Sequence, residues 1–78
     1  MNGFVLINAS GEYAVVTNRT THTGYHTDIS FTKELNEASV FVSVQKLQRK
    51  YAELRSCIAL PAYLNIVRTV TLVKASQQ

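Results

Sequence analysis

Residues 43–58, SVQKLQRKYAELRSCI, decide how this chain is read. Val44, Leu47, Tyr51, Leu54 and Ile58 follow at spacings of 3, 4, 3 and 4, the stripe an α-helix uses to bury one face. Gln45, Lys46, Gln48, Arg49, Lys50 and Glu53 fill the rest of the surface. Ser43 stands where an N-cap belongs. Arg49 and Glu53 have the i,i+4 spacing of an ion pair, and Pro61 closes the segment. A helix of this kind needs an apolar sheet to lie on.

The segments on either side supply one. Residues 3–8, GFVLIN, and 13–18, YAVVTN, are short apolar runs separated by a Ser10-Gly11 turn, which reads as a β-hairpin. Alternation puts Phe4, Leu6, Tyr13 and Val15 on one face and Val5, Ile7, Ala14 and Val16 on the other. Both faces are apolar, so the hairpin is expected at the centre of its sheet. Residues 19–30, RTTHTGYHTDIS, bury little; they read as a long polar loop whose later part, about 25–29, forms an exposed edge strand. Residues 32–39, TKELNEAS, suit one short helical turn packed through Leu35, Ala38 and Phe41. Residues 64–74, LNIVRTVTLVK, read as a long final strand paired with the first, and residues 75–78 as a frayed tail. The expectation is an α+β domain spanning 1–78, with an antiparallel sheet of three or four strands and one amphipathic helix on one face, in the order β-β-(β)-α-β.

Composition narrows the function classes. The chain has 78 residues, of which 46% are hydrophobic and 17% charged, with a net charge of +3. That is room for one small domain, burying roughly 60–65% of its unfolded surface. A two-domain enzyme, a membrane-spanning chain and a disulfide scaffold are not expected, and the shortage of carboxylates argues against a polyanionic DNA mimic. One cysteine, Cys57, permits no internal disulfide. The first eight residues lack the basic start and long apolar core of a signal peptide, so the expected location is cytoplasmic, without a membrane partner. On that ground the acceptor-like Asn8-Ala-Ser10 and Asn18-Arg-Thr20 triplets are set aside.

Residues able to do chemistry are few. His22, His26 and Asp28 lie within seven positions, which raises a metal site. An i,i+4 pair of imidazoles converges on a helix, and this Thr- and Gly-bearing stretch is not helix-like, so the pair reads as solvent-facing and no metal or cofactor is expected. Cys57 falls near the end of the expected helix, where the dipole raises a thiol pKa, and reads as packed, not nucleophilic. Glu34 and Glu37 read as solvated. Gly3, Gly11 and Gly24 are isolated, so no phosphate loop is present. Lys46, Arg49 and Lys50 share the outer face of the helix and could track phosphates, although no ribonucleoprotein motif, helix-turn-helix or row of exposed aromatics accompanies them. Tyr25, between Gly24 and His26, is either self-packed or an interface anchor, a role tyrosine fills at small entropic cost.

The pattern of Phe4-Val-Leu, Gly11-Glu-Tyr13, Leu35-Asn-Glu-Ala38 and Phe41, followed by a short helix and a final strand, resembles small phage and prophage single-domain α+β proteins. Several groups of these bind and inhibit host nucleic-acid enzymes or defence complexes. The resemblance covers the chain in outline and transfers no functional residue. It implies a non-catalytic protein-binding module, a phage-encoded inhibitor of a host protein acting by steric blocking in the host cytoplasm. The docking surface would be Arg19, His22, Tyr25 and His26, with the Thr-rich strand open to backbone pairing. The alternative is a small basic nucleic-acid-binding protein using Lys46, Arg49 and Lys50. A third reading is a homodimer through the Thr/Val face of the last strand.

Overall fold

The computed structural model describes residues 2–65 and 67–73. It contains a five-stranded antiparallel sheet, β1 (Asn2–Ile7), β2 (Tyr13–Thr21), β3 (Gly24–Thr32), β4 (Ile58–Leu64) and β5 (Val70–Leu72), in the spatial order β3-β2-β1-β4-β5. A 3₁₀ turn spans Leu35–Glu37, and two short helices, α1 (Gln45–Lys50) and α2 (Ala52–Arg55), precede β4. This overturns the expected sheet of three or four strands with one packed helix: the protein is mostly antiparallel sheet, and its helical content is small.

The expected helix fails at Tyr51, whose φ of −114° and ψ of 118° are extended. The stripe itself still points inward. Val44, Leu47, Tyr51, Leu54 and Cys57 pack with Leu6 and Ala14 on one sheet face. Ser43 caps nothing: Val44 occupies the N-cap position without a side-chain bond. Arg49 and Glu53 form no ion pair; Arg55 instead donates to the carbonyls of Gln48 (3.3 Å) and Arg49 (2.9 Å). Gln48 Nε2 donates to the carbonyls of Leu54 (3.0 Å) and Cys57 (2.9 Å). Arg55 satisfies two carbonyls that a continuous helix would have bonded internally, and Gln48 ties down two more at the end of α2, so the break leaves few orphan groups.

Breaking early lets the chain reverse into β4, which pairs with β1 from Asn2↔Tyr63 to Ile7↔Ile58. The neighbour of the first strand is therefore residues 58–64, not the expected final strand, whose described part is the loop around Arg68 and the short β5. Ile58, the last position of the stripe, lies in a strand and is 65% exposed. Pro61 lies within β4 and does not end a helix. Its carbonyl accepts from Val73 at 2.9 Å, while its missing N–H denies the return bond, and β5 ends at Leu72. The tail, 75–78, lies outside the described residues.

The hairpin of β1 and β2 is a fork. At its base Ile7 opposes Tyr13, and Asn8 Oδ1 accepts from the backbone of Ser10 (3.0 Å) and Glu12 (2.9 Å). Gly11 supplies the positive φ of 80° in this turn. The register puts Leu6 with Ala14 and Val16, and Val5 with Tyr13, the reverse of the expected pairing of faces. Beyond the base, residues 39–41 wedge between the strands. Phe41 exchanges two backbone bonds with Phe4, of 2.7 and 2.8 Å. On the other flank Ser39 N donates to the Ala14 carbonyl (3.1 Å), and Ser39 Oγ accepts from Val16 N (2.9 Å). The wedge runs parallel to β2, and the serine hydroxyl takes the place a backbone carbonyl fills in a parallel ladder.

Two cores result, one on each side of the sheet. The first joins Val5, Ala38, Ala62 and Val70, with Leu35 of the 3₁₀ turn packed against it; the second joins Leu6, Ala14, Leu54 and Cys57. Val5 and Leu6 are both fully buried, as a central strand with two apolar faces requires.

Candidate functional site: the β2–β3 arm

Residues 19–30 are not a long loop. Nine residues on each side pair from Tyr13↔Thr32 to Thr21↔Gly24, leaving His22 and Thr23 as the turn. The positive φ this turn needs falls on Gly24, at 117°. Threonine favours extended backbone and here also supplies side-chain bonds. Thr27 Oγ1 donates to Asn18 Oδ1 across the strands at 2.8 Å, and Thr21 Oγ1 donates to the Gly24 carbonyl at 3.2 Å. The end nearer the body is anchored by Val16, Ile29 and Phe31, which pack on the helix-covered core. From Thr17 outward most residues are exposed, and the molecule is elongated, 51 × 29 × 21 Å.

The four residues expected to form one surface are divided by the pleat. Arg19 and His26 are cross-strand partners on one face. Arg19 Nε bonds Asp28 Oδ2 at 3.0 Å on this face, with side chains 63% and 55% exposed. Such an exposed pair contributes at most about 1 kcal/mol. His26 Nε2 lies 3.0 Å from Thr23 Oγ1. Tyr25 opposes Thr20 on the other face and is 83% exposed. His22 sits in the turn. The four surround the arm tip without converging on a common point. Among the described residues no group of three His, Cys, Asp or Glu side chains could hold a metal ion.

The basic residues lie on a shorter helix than the expected one. Lys46, Arg49 and Lys50 are exposed on α1, a helix of only six residues, about 9 Å long. Lys50 Nζ lies 5.5 Å from the centre of the Tyr51 ring. Cys57 is buried, its thiol 3.6 Å from the Glu53 carbonyl, and burial pushes its pKa up, as suits a packed cysteine.

The sequence reading missed one feature and outlined a second only as an exposed edge strand at about 25–29. The first is a half-open cleft of about 580 Å³ where the fork widens, lined by Val16, Asn18, Asn36, Phe41, Leu64 and Arg68, among others. The other is the outer edge of β3. Ala14 and Val16 turn their backbone groups toward the wedge, so the β2–β3 ladder is made by odd-numbered residues of β2 and even-numbered residues of β3. Tyr25, Thr27, Ile29 and Phe31 consequently present N–H and C=O outward at the margin of the sheet. Neither feature has a motif; both follow from the wedge, which a linear pattern does not show.

Comparison with protein-family models, with curated proteins and with solved structures finds no match. Among the described residues no helix is long and apolar enough to cross a membrane.

Proposed function

We propose that this protein is a non-catalytic protein-binding module that docks through the β2–β3 arm. The observation that carries the reading is the nine-residue edge strand, which offers a row of outward backbone groups beside an exposed Tyr25. An edge of this length is a template for a partner's strand. Edges not used in this way are commonly blunted by lysine, proline or a bulge within the strand, and Tyr25–Thr32 carries neither lysine nor proline. Tyr25 adds contact area at small entropic cost. The outline resemblance to phage proteins extends the proposal to a steric inhibitor of a host protein in the host cytoplasm.

The test is capture on the immobilised protein, with the arm and the helix varied separately. A stoichiometric partner should be lost with Tyr25→Ala and Arg19→Ala together, and retained when Lys46, Arg49 and Lys50 are reversed to glutamate. Capture indifferent to the arm variants rules the reading out. Salt-sensitive retention of DNA or RNA that the helix reversal abolishes would favour the nucleic-acid alternative.

A further inference from the structure

We propose that the outer edge of β3 pairs with the β3 edge of a second copy of this chain, antiparallel about a two-fold axis at Thr27. The inference rests on the arm being the docking element, and it names the partner. An edge that meets its own copy across a two-fold axis must be complementary to itself, and the side chains of β3 meet that condition in one register. With Thr27 opposite Thr27 of the copy, Tyr25 and Ile29 each take the other as hydrogen-bonded partner. All three residues turn their backbone groups outward, so the paired stretch forms a continuous ladder.

Both faces then match. On the helix-covered face, exposed Tyr25 lies beside half-buried Ile29 of the copy, an aromatic and β-branched cross-strand pair. On the opposite face His26 faces Asp28 of the copy. Arg19, the rung partner of His26, adds a guanidinium to the same side. Each Asp28 therefore has its own Arg19 at 3.0 Å on one flank and the copy's imidazole on the other. The neighbouring registers lack this match: a shift of the axis to His26 sets the two imidazoles against each other and Asp28 against Gly24. A shift of the axis to Asp28 sets the two carboxylates against each other, and a shift to Ile29 sets Asp28 against Ser30 and Tyr25 against Lys33. The polar match of imidazole to carboxylate, against the like-charge contact one residue away, thus selects a second copy as the occupant and Thr27 as the axis. The overlap is confined to residues 25–29 of each copy, well below the ~800 Å² per partner of a standard interface, so the dissociation constant should be on the order of 100 μM.

Sedimentation equilibrium of the full chain up to about 1 mM, together with cysteine cross-linking, tests this. The wild-type protein should form a dimer. Thr27→Pro removes one outward N–H and should weaken the dimer at least about tenfold. It spares the backbone ladder to β2 but loses the Thr27–Asn18 side-chain bond, so Thr27→Val, which loses that bond alone, is the control and should leave the dimer in place. His26→Asp should weaken it and His26→Lys should not. Thr27→Cys should oxidise to a linked dimer under conditions where Ser30→Cys does not, because the two copies of residue 30 lie about 20 Å apart in this register. A wild-type chain that stays monomeric, a dimer indifferent to Thr27→Pro, or preferential cross-linking through Asp28→Cys or Ile29→Cys overturns the inference. The arm as a docking element fails separately: it survives a monomeric result if a captured partner is still lost with the arm variants, and falls if that capture persists.

Discussion

Arg68 holds a φ of 65°, the one positive value outside glycine among the described residues. Its loop explains why. Asn65 N donates to the Thr69 carbonyl (3.1 Å), the Asn65 carbonyl accepts from Arg68 N (3.0 Å), and Asn65 Oδ1 accepts from Thr69 N (3.1 Å). These bonds bracket Arg68 and force the left-handed turn that joins β4 to β5. A side chain with a Cβ takes that conformation at a cost of roughly 1–2 kcal/mol. Replacing it with glycine relieves the strain but loosens the unfolded chain. Arg68→Gly should therefore stabilise by about 0.5–1 kcal/mol, a rise in Tm of roughly 2–6 °C. Arg68→Ala, which keeps the Cβ, should bring no such rise; equal melting temperatures for the two variants would remove strain as the explanation. The Gly11 turn could be read in the sequence because a glycine marks it. Arg68 could not, because its conformation is imposed by an asparagine three residues earlier.

At the scale of elements, the segment from Val44 to Leu54 shows what periodicity decides and what it leaves open. The spacing of Val44, Leu47, Tyr51 and Leu54 correctly identifies the side chains that face the sheet. It does not decide whether one helix or two carry them, because an extended residue at Tyr51 still returns Leu54 to the same core. Nor does it separate Ile58, which continues the 3,4 pattern but belongs to the strand that pairs with β1. The competing signal, an apolar run from Ile58 to Leu64, was masked by Pro61, which reads as a terminator until its place beside a short edge strand is known. Residues 19–30 failed in part, for the opposite reason: an edge strand near 25–29 was expected, but the polarity before it suggested a loop, whereas threonine's backbone preference and a two-residue turn gave two paired strands. Gln48 is what permits the broken helix, through its bonds to the Leu54 and Cys57 carbonyls. Gln48→Ala leaves two part-buried carbonyls without that donor and should cost about 1–2 kcal/mol. Gln48→Glu, which turns carboxylate oxygens toward the same carbonyls, should cost more. Chemical denaturation of the two variants checks the order, and a smaller loss for glutamate would show that the amide is not the brace.

For the whole molecule, the wedge at residues 39–41 is the part that organises everything else. It separates β1 from β2, sends β1 toward β4 and frees the distal part of β2 and β3 to form the arm. The two cores depend on the same segment, with Val40 packed on one and Phe41 on the other. The sequence showed that both faces of β1 are apolar, which requires two covering layers. It could not show that a non-consecutive segment enters the hairpin, because that arrangement rests on one serine hydroxyl and one close backbone approach. At Gly3 an added Cβ would lie 2.5 Å from the Phe41 carbonyl oxygen and 2.8 Å from Val40 Cγ1, so the contact exists only because glycine stands there. Ser39→Ala leaves Val16 N–H without its acceptor in a part-buried site, for a loss of about 1–3 kcal/mol. Gly3→Ala must push the wedge outward against backbone and should cost at least as much. The two losses act on opposite flanks of one segment, so the double variant should depart from additivity. Hydrogen exchange should locate the damage: in either variant the Phe4 and Phe41 amides, each donating to the other residue's carbonyl across the fork, should lose protection before the β1–β4 ladder does. If both regions instead lose protection together, the wedge and the sheet unfold as one unit, and the fork is not an independent joint between the body and the arm.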